Sequence, residues 1–249
     1  EMCIRDRRNT VSTYIRRLRC IYNKAVENGD AEYIPGLFQG VFTGVESKRK
    51  KSLSLENQHK LMTVKVESEV LRETQLVVCL LFQYAGMSFV DFAHLKERNI
   101  KNGILDYNRQ KTGTPMRLEI LDTAELMRKE LMGDKKPASG YLFPFLSGTK
   151  TGYEAYLEYN AALSRFNRNL KALKKAAGIA SDVTSYTIRH SFAMALKEQN
   201  VPIEMISELL GHKSIKTTQI YLRSFSLEKM TEVNSTCFGC VYNYVSKVG

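Results

Sequence analysis

Two closely spaced helix stops constrain this chain more than any other feature. In the stretch TSYTIRHSFAMALKEQNVPIEMISELLGHKSIKTTQIYLR, from Thr184 to Arg223, Asn200 followed by Pro202 ends one helix and starts another, and Gly211 ends the second. Ser185 is read as the N-cap of the first helix. Its buried face is Ile188, Phe192, Ala195 and Leu196, at i, i+4, i+7 and i+8. Ile203, Ile206, Leu209 and Leu210 give the second helix its apolar side, and Tyr221 lies nine residues after His212, past a Ser214 able to cap another turn of helix. The opposite face is left for chemistry. Tyr186 and Arg189, three apart, are neighbours on one helix edge and can address the same ligand.

The rest of the chain is mostly helical with one β interruption. Thr10 is read as the cap of a basic amphipathic helix with the apolar stripe Val11, Tyr14, Ile15, Leu18, Ile21, Tyr22 and Ala25, and Gly29 as its stop. From Asp30 to Lys51 periodicity lapses, and Pro35 with the run Lys48-Arg49-Lys50-Lys51 marks a linker. Ser54 opens a helical region, and Val70, Thr74, Val77, Val78 and Leu81 mark a buried helix ending at Gly86. Ser88-x-x-Asp91 has the form of a capping box. Ile104 to Leu121 reads as a β-hairpin turning at Lys111-Thr112-Gly113-Thr114, and period-two alternation places Arg109 and Lys111 on one strand face. A short helix with Leu126 and Leu131 follows Thr123. A long helix from about Glu154 then buries Leu163, Phe166, Leu170, Leu173 and Ala177 and stops at Gly178, and Leu227, Met230 and Val233 are spaced for a last small helix. The expected fold class is mainly α with a small antiparallel β-sheet, α+β.

Composition narrows the function classes. The 249 residues carry a net charge of +11, which favours a polyanionic partner without separating DNA from RNA or a membrane surface. The longest apolar run, Leu76 to Phe82, is too short to span a bilayer and fits a buried helix. No signal-peptide pattern opens the sequence, and the odd count of five cysteines fits a reduced, cytoplasmic setting. Cys237-x-x-Cys240 lacks a second pair or nearby histidines and is read as incidental thiols rather than a metal site. HExxH, a P-loop and an acidic metal cluster are missing from the sequence, so no metal or nucleotide cofactor is expected.

The pieces IRHSFA, ELLGH and TTQIY, in this order and at these separations, resemble the tyrosine recombinases, also called the phage integrase family. On that resemblance Arg189 matches the second catalytic arginine, His212 the histidine-or-tryptophan position and Tyr221 the nucleophile, while Tyr186 stands where the family usually has histidine. The segment QYAGMSFVDFAHLK, residues 83 to 96, extends the likeness. Asp91 holds the acidic position and Ser88 replaces the first catalytic arginine, as in the variant seen in integrases of conjugative transposons. Lys111, in R-x-K-T-G, matches the hairpin lysine proposed as general acid toward the leaving oxygen. With serine at 88, another arginine must do the phosphate work. Arg109 is the expected substitute, with Arg72 and Arg117 next.

These residue types suit strand exchange. Arginine forks make paired, charge-assisted bonds to phosphate oxygens at any relevant pH, and a phenol can form a covalent phosphotyrosyl link that keeps the bond energy for rejoining. The resemblance implies a site-specific recombinase or integrase of a mobile element, cleaving and rejoining duplex DNA through a 3′-phosphotyrosyl intermediate without metal or ATP. It implies a homotetramer on DNA built by exchange of the C-terminal tail, accessory DNA-bending proteins, and a bacterial cytoplasmic, nucleoid-associated location. A type IB topoisomerase shares the chemistry, but the local wording is closer to integrases. TVSTYIRRLRCIYNKAVENG resembles the last helix of the core-binding domain of integrases. Residues 1–45 are therefore expected to be the remnant of that domain with its linker, and residues 46–249 the catalytic domain. Most of the first domain would then be missing, as expected of a fragment or an incomplete gene model, in which residues 1 to 8 need not belong to the native protein. The alternative is a catalytically impaired, DNA-binding descendant, in which residues 202 to 222 form a helix-turn-helix and His212 and Tyr221 are turn and core residues.

Overall fold

The structure is a computed structural model that describes residues 8–44, 52–135, 137, 140–222, 230–236 and 238. The chain divides into two compact units, Glu1–Arg49 and Lys50–Gly249. The basic run from Lys48 to Lys51 lies outside the described residues.

The first unit is built on α1 (Arg8–Glu27), which already runs through Thr10, so that residue is interior to the helix rather than its cap. After Gly29 the chain folds back along α1. The Tyr22 hydroxyl donates to the Glu32 carbonyl (2.9 Å) and accepts the Ile34 N–H (2.6 Å), and the Ser12 hydroxyl donates to the Gly44 carbonyl (2.6 Å).

The second unit contains α2 (Leu55–Thr63), α3 (Glu69–Gln83), α4 (Phe89–Ala93), β1 (Ile100–Lys101), β2 (Ile104–Asn108), β3 (Pro115–Glu119), α5 (Asp122–Met132), α6 (Gly152–Ala176), α7 (Ser185–Glu198), α8 (Ile203–Leu209) and α9 (Ile215–Tyr221). Ser54 caps α2 by accepting the Asn57 N–H at 3.3 Å. Helix α3 is the centre of the core: every residue from Thr74 to Leu81 is buried, as a helix apolar on all sides requires, and α5, α6 and α7 pack around it. Val70, expected on the buried stripe, is exposed because it lies in the first turn of α3, at the rim of the core, and Leu126 is exposed on the outer side of α5.

The hairpin forms as expected and gains a short strand, giving an antiparallel sheet in the order β1-β2-β3. Leu105 pairs with Leu118 and Tyr107 with Met116, and Leu105, Tyr107 and Met116 turn to the core. Strand β1 has two residues, too few for alternation to reveal it. Five-residue α4 is too short to hold itself by backbone bonds alone. Its aromatic anchors fix it instead: Phe89 stacks on Phe166 of α6 (4.7 Å between centroids) and Phe92 on Phe143 (4.2 Å). A second, smaller core of Ala193, Ile206, Leu210 and Leu222 joins α7, α8 and the end of α9.

Met230 and Val233 lie in a helical stretch, 230–236, and are exposed; Leu227, Cys237 and Cys240 lie outside the described residues. Among the described residues no helix is long and apolar enough to cross a membrane.

Candidate active site

Helix α7 begins one residue earlier than its sequence suggests. Thr184, not Ser185, is the N-cap: Thr184 Oγ1 accepts the Thr187 N–H (3.3 Å) while Thr187 Oγ1 accepts the Thr184 N–H (3.2 Å). Ser185 is thereby the first helical residue, and its N–H donates to Asn167 Oδ1 of α6 at 2.9 Å. A turn later Arg189 is 5% exposed, with Nη1 donating to the Gly86 carbonyl (2.8 Å) and Nη2 to the Leu210 carbonyl. Gly86 has φ +63°, and a Cβ there would stand 2.7 Å from the Phe192 ring, so glycine lets the chain pass close under α7. Ser191 Oγ donates to the Thr187 carbonyl (2.8 Å) and accepts the Leu53 N–H (2.9 Å), tying the start of this unit to the arginine-bearing helix.

The Ser88–Asp91 pair is not a capping box. Ser88 is the N-cap of α4 by backbone only, and its hydroxyl donates to Asp91 Oδ2 at 2.5 Å. The carboxylate faces the hairpin, where Oδ1 accepts the Gln110 N–H (2.7 Å) and Oδ2 meets Arg109 Nε (3.4 Å). Arg109 is 9% exposed, and its Nη1 donates to the carbonyls of Leu210 (3.1 Å) and Gly211 (3.0 Å). A buried ion pair is tolerable only when its remaining donors and acceptors are satisfied, and this one is surrounded by such partners.

The expected sharing of one strand face by Arg109 and Lys111 fails for a local reason. Strand β2 ends at Asn108, and a tight turn starts at Arg109, closed by Arg109 N–H to Thr114 carbonyl (2.9 Å) and Gly113 N–H to Arg109 carbonyl (2.8 Å). Arg109 is turned inward and Lys111 is exposed near the tip. Of the other candidate cations, Arg72 is held by Glu130 through bonds of 2.6 and 2.9 Å, and Arg117 is exposed on β3.

Between α8 and α9 the chain turns at Gly211, φ +60°. A Cβ there would collide with Met116 Sδ and lie 2.7 Å from Arg109 Cδ. Glycine therefore provides both the left-handed turn and the passage for the Arg109 side chain. His212 follows, its N–H bonded to the Ser207 carbonyl (2.9 Å) and its Nδ1 2.8 Å from Oγ1 of fully buried Thr218. Tyr221 closes α9, and its side chain lies outside what is described. The next residue is anchored twice, Leu222 N–H to the Thr218 carbonyl (3.0 Å) and Leu222 carbonyl to Lys197 Nζ. Burial holds the Lys197 ammonium below its ordinary pKa.

The fold thus brings together Ser88, Asp91, Arg109 and Arg189, with His212 two residues beyond the Leu210 carbonyl that both arginines use. It does not bring Lys111 or Tyr186 into this buried set, since Lys111 is exposed and Tyr186 is 47% exposed in the first turn of α7. Three neighbours escaped the sequence reading. Tyr107 is pushed above the ordinary phenol range by burial and further by Asp91, with Arg189 and Arg109 opposing, which places it in the field of all three; alternation along β2 could have flagged it. Thr218 and Lys197 carry no sequence signal beyond helix membership. Among the described residues no group of three or more His, Cys, Asp or Glu side chains comes together.

In this mainly helical domain two buried guanidiniums meet at one turn, beside a histidine and a tyrosine-terminated helix, and guanidiniums are suited to oxyanions. The chain is a member of the phage integrase family, whose model matches residues 51–228. Among its relatives is tyrosine recombinase XerA of Pyrococcus furiosus, 32% identical over 177 residues, covering 70% of this chain and 57% of that protein. Another is XerD of Lacticaseibacillus casei, 52% identical over 54 residues, or 22% of this chain and 18% of that one. The chain therefore spans between about a fifth and three fifths of the length of these relatives. Similar folds are the XerH recombinase bound to palindromic difH substrate (TM-score 0.65, 19% identity, 90% of this chain and 66% of that one) and the Tn1549 transposon integrase with circular intermediate DNA (TM-score 0.62, 15% identity, 88% and 77%).

Proposed function

We propose that this chain is the catalytic part of a site-specific DNA recombinase, with residues 46–249 as the catalytic domain and residues 1–45 as the end of a core-binding domain and its linker. The observation that supports the reading is the convergence of Arg109 and Arg189 on the Leu210 carbonyl, which fixes two cations close together, as stabilising a phosphodiester transition state requires. Arg109 supplies the charge that Ser88 lacks. In cleavage the Tyr221 hydroxyl oxygen attacks phosphorus and its proton passes to solvent water. The bond from phosphorus to the 5′-oxygen breaks, Lys111 at the hairpin tip protonates the leaving oxygen, and a 3′-phosphotyrosyl link remains. Rejoining runs the same steps backward. His212 donates to a non-bridging oxygen, Asp91 and Ser88 hold Arg109, and Tyr186 lies at the rim of the site.

Duplex DNA as partner is supported by the net charge of +11 and by the DNA-bound XerH and Tn1549 integrase structures. A tetramer built by tail exchange, with accessory DNA-bending proteins on the bacterial nucleoid, is the corresponding assembly; the exposed Met230 and Val233 suit a tail that packs on a neighbour. In a binding-only protein the two buried forks would serve structure alone, holding the Gly86, Leu210 and Gly211 carbonyls.

The test is covalent trapping with nicked suicide duplexes from the ends of the host element, quenched with SDS. Wild type forms a protein–DNA adduct, Tyr221→Phe forms none, and Arg109→Ala loses at least about a hundredfold in rate, the scale of one transition-state donor. Retarded DNA that is never linked would overturn the reading, and an adduct undiminished in Arg109→Ala would remove Arg109 from it.

A further inference from the structure

On the resemblance to the family, His212 matches a histidine-or-tryptophan position, and the chemistry those two rings share is an N–H donor. Tryptophan has its N–H permanently. A neutral histidine has one only on the nitrogen that its tautomer selects, and the bond made by the other nitrogen decides which. Here that bond is in place: Nδ1 of His212 is 2.8 Å from Thr218 Oγ1. Thr218 is fully buried, and its own carbonyl is already engaged by the Leu222 N–H. It lies on α9 three residues before Tyr221, so one side chain connects the histidine to the helix that ends in the nucleophile.

We propose that Thr218 is the positioning residue that makes His212 a phosphate donor: its hydroxyl hydrogen is given to Nδ1, which fixes the ring proton on Nε2 and aims that N–H at the scissile phosphate. The proposal rests on the recombinase reading but adds a residue and a proton assignment to it. It explains why a buried position next to the reaction centre holds a hydroxyl where an aliphatic side chain would pack as well. Threonine can take a rotamer that bonds its own i−4 carbonyl, as Thr74 does to Val70, but the Thr218 hydroxyl is directed at the imidazole instead.

The experiment is a double-mutant cycle on the full chain, using Thr218→Val, which keeps the shape and removes the hydroxyl, in the native and His212→Trp backgrounds. In the native background Thr218→Val slows single-turnover cleavage about tenfold or more, the worth of one oriented hydrogen bond near charge. Thr218→Ser restores it. In the His212→Trp background, where the ring N–H needs no tautomer, the same substitution has little effect. Equal losses in both backgrounds would mean that Thr218 only packs, and would overturn the proposal. A second readout needs no activity: long-range proton–nitrogen correlation spectra, with His212 assigned by difference from His212→Gln, report which nitrogen holds the proton. Nε2–H in wild type and a mixed or Nδ1–H ring in Thr218→Val is the expected result. An Nδ1–H ring in wild type would overturn the assignment even if strand cleavage proceeds, whereas loss of cleavage with an Nε2–H ring would count against the recombinase reading alone.

Discussion

Arg109 and Lys111 show at the level of single residues what alternation along a strand can and cannot reveal. Both were legible as candidates, but not their opposite placements, because a strand pattern is blind to where the turn begins. Asp91 was legible by position, whereas its bond from Ser88 was not, since a carboxylate three residues after a serine fits a capping box equally well. Gly211 gives a sharper prediction than any of the charged groups. Gly211→Ala meets both a φ of +60° and the Arg109 side chain, so it should lower stability by more than the about 1–2 kcal/mol of a left-handed residue and abolish cleavage. Gly178→Ala has a similar φ, +66°, with open space around it, and should cost only that backbone term and leave cleavage intact. Thermal melts paired with suicide-substrate assays separate the two. Equal activity of the two variants would show that the Arg109 passage does not matter.

Among the elements, α3 was the most readable, because a run apolar on every side has one comfortable place, the centre of a helical domain. Helix α4 was legible only as a motif, since its stability comes from Phe166 and Phe143, far away in sequence. The burial of α3 and of the residue that follows it has a pH signature. Burial pushes the Cys79 thiol from 9.0 to about 11 and the Tyr84 phenol from 10.0 to about 12. Both groups stay protonated in the fold while the unfolded chain begins to ionise near pH 9. Stability is therefore complete below that pH and is lost as pH rises toward 11 and then 12, by about 2–3 kcal/mol for each group. Denaturant titrations at pH 8, 10 and 11 should show the decline, and Cys79→Ala should flatten its first part; an identical decline in that variant would exclude the thiol. The Tyr84 hydroxyl finds no hydrogen-bond partner among the described residues. Tyr84→Phe should accordingly be neutral or stabilising at pH 7, because it removes an unsatisfied buried group.

For the molecule as a whole, the expectation of a mainly helical fold with a small antiparallel sheet holds, because helix stops and one hairpin are local signals. Which helix ends meet was not readable: the second core joining α7, α8 and α9 depends on contacts between residues such as Ala193 and Leu222. On the proposed function, a net charge of +11 makes DNA affinity steeply salt-dependent, and a double-logarithmic plot against salt should give a slope near the number of phosphates contacted. The same charge opposes compaction, and at the Leu210 carbonyl one peptide dipole holds two guanidiniums, one of them also paired with Asp91. Millimolar pyrophosphate should raise the melting temperature of wild type clearly more than that of Arg109→Ala; equal shifts would place the anion elsewhere. Shared by two like charges, that single oxygen holds a repulsion that folding alone does not discharge. If a dianion binds there, it offsets the repulsion, and the melting temperature should then rise with phosphate-ester concentration.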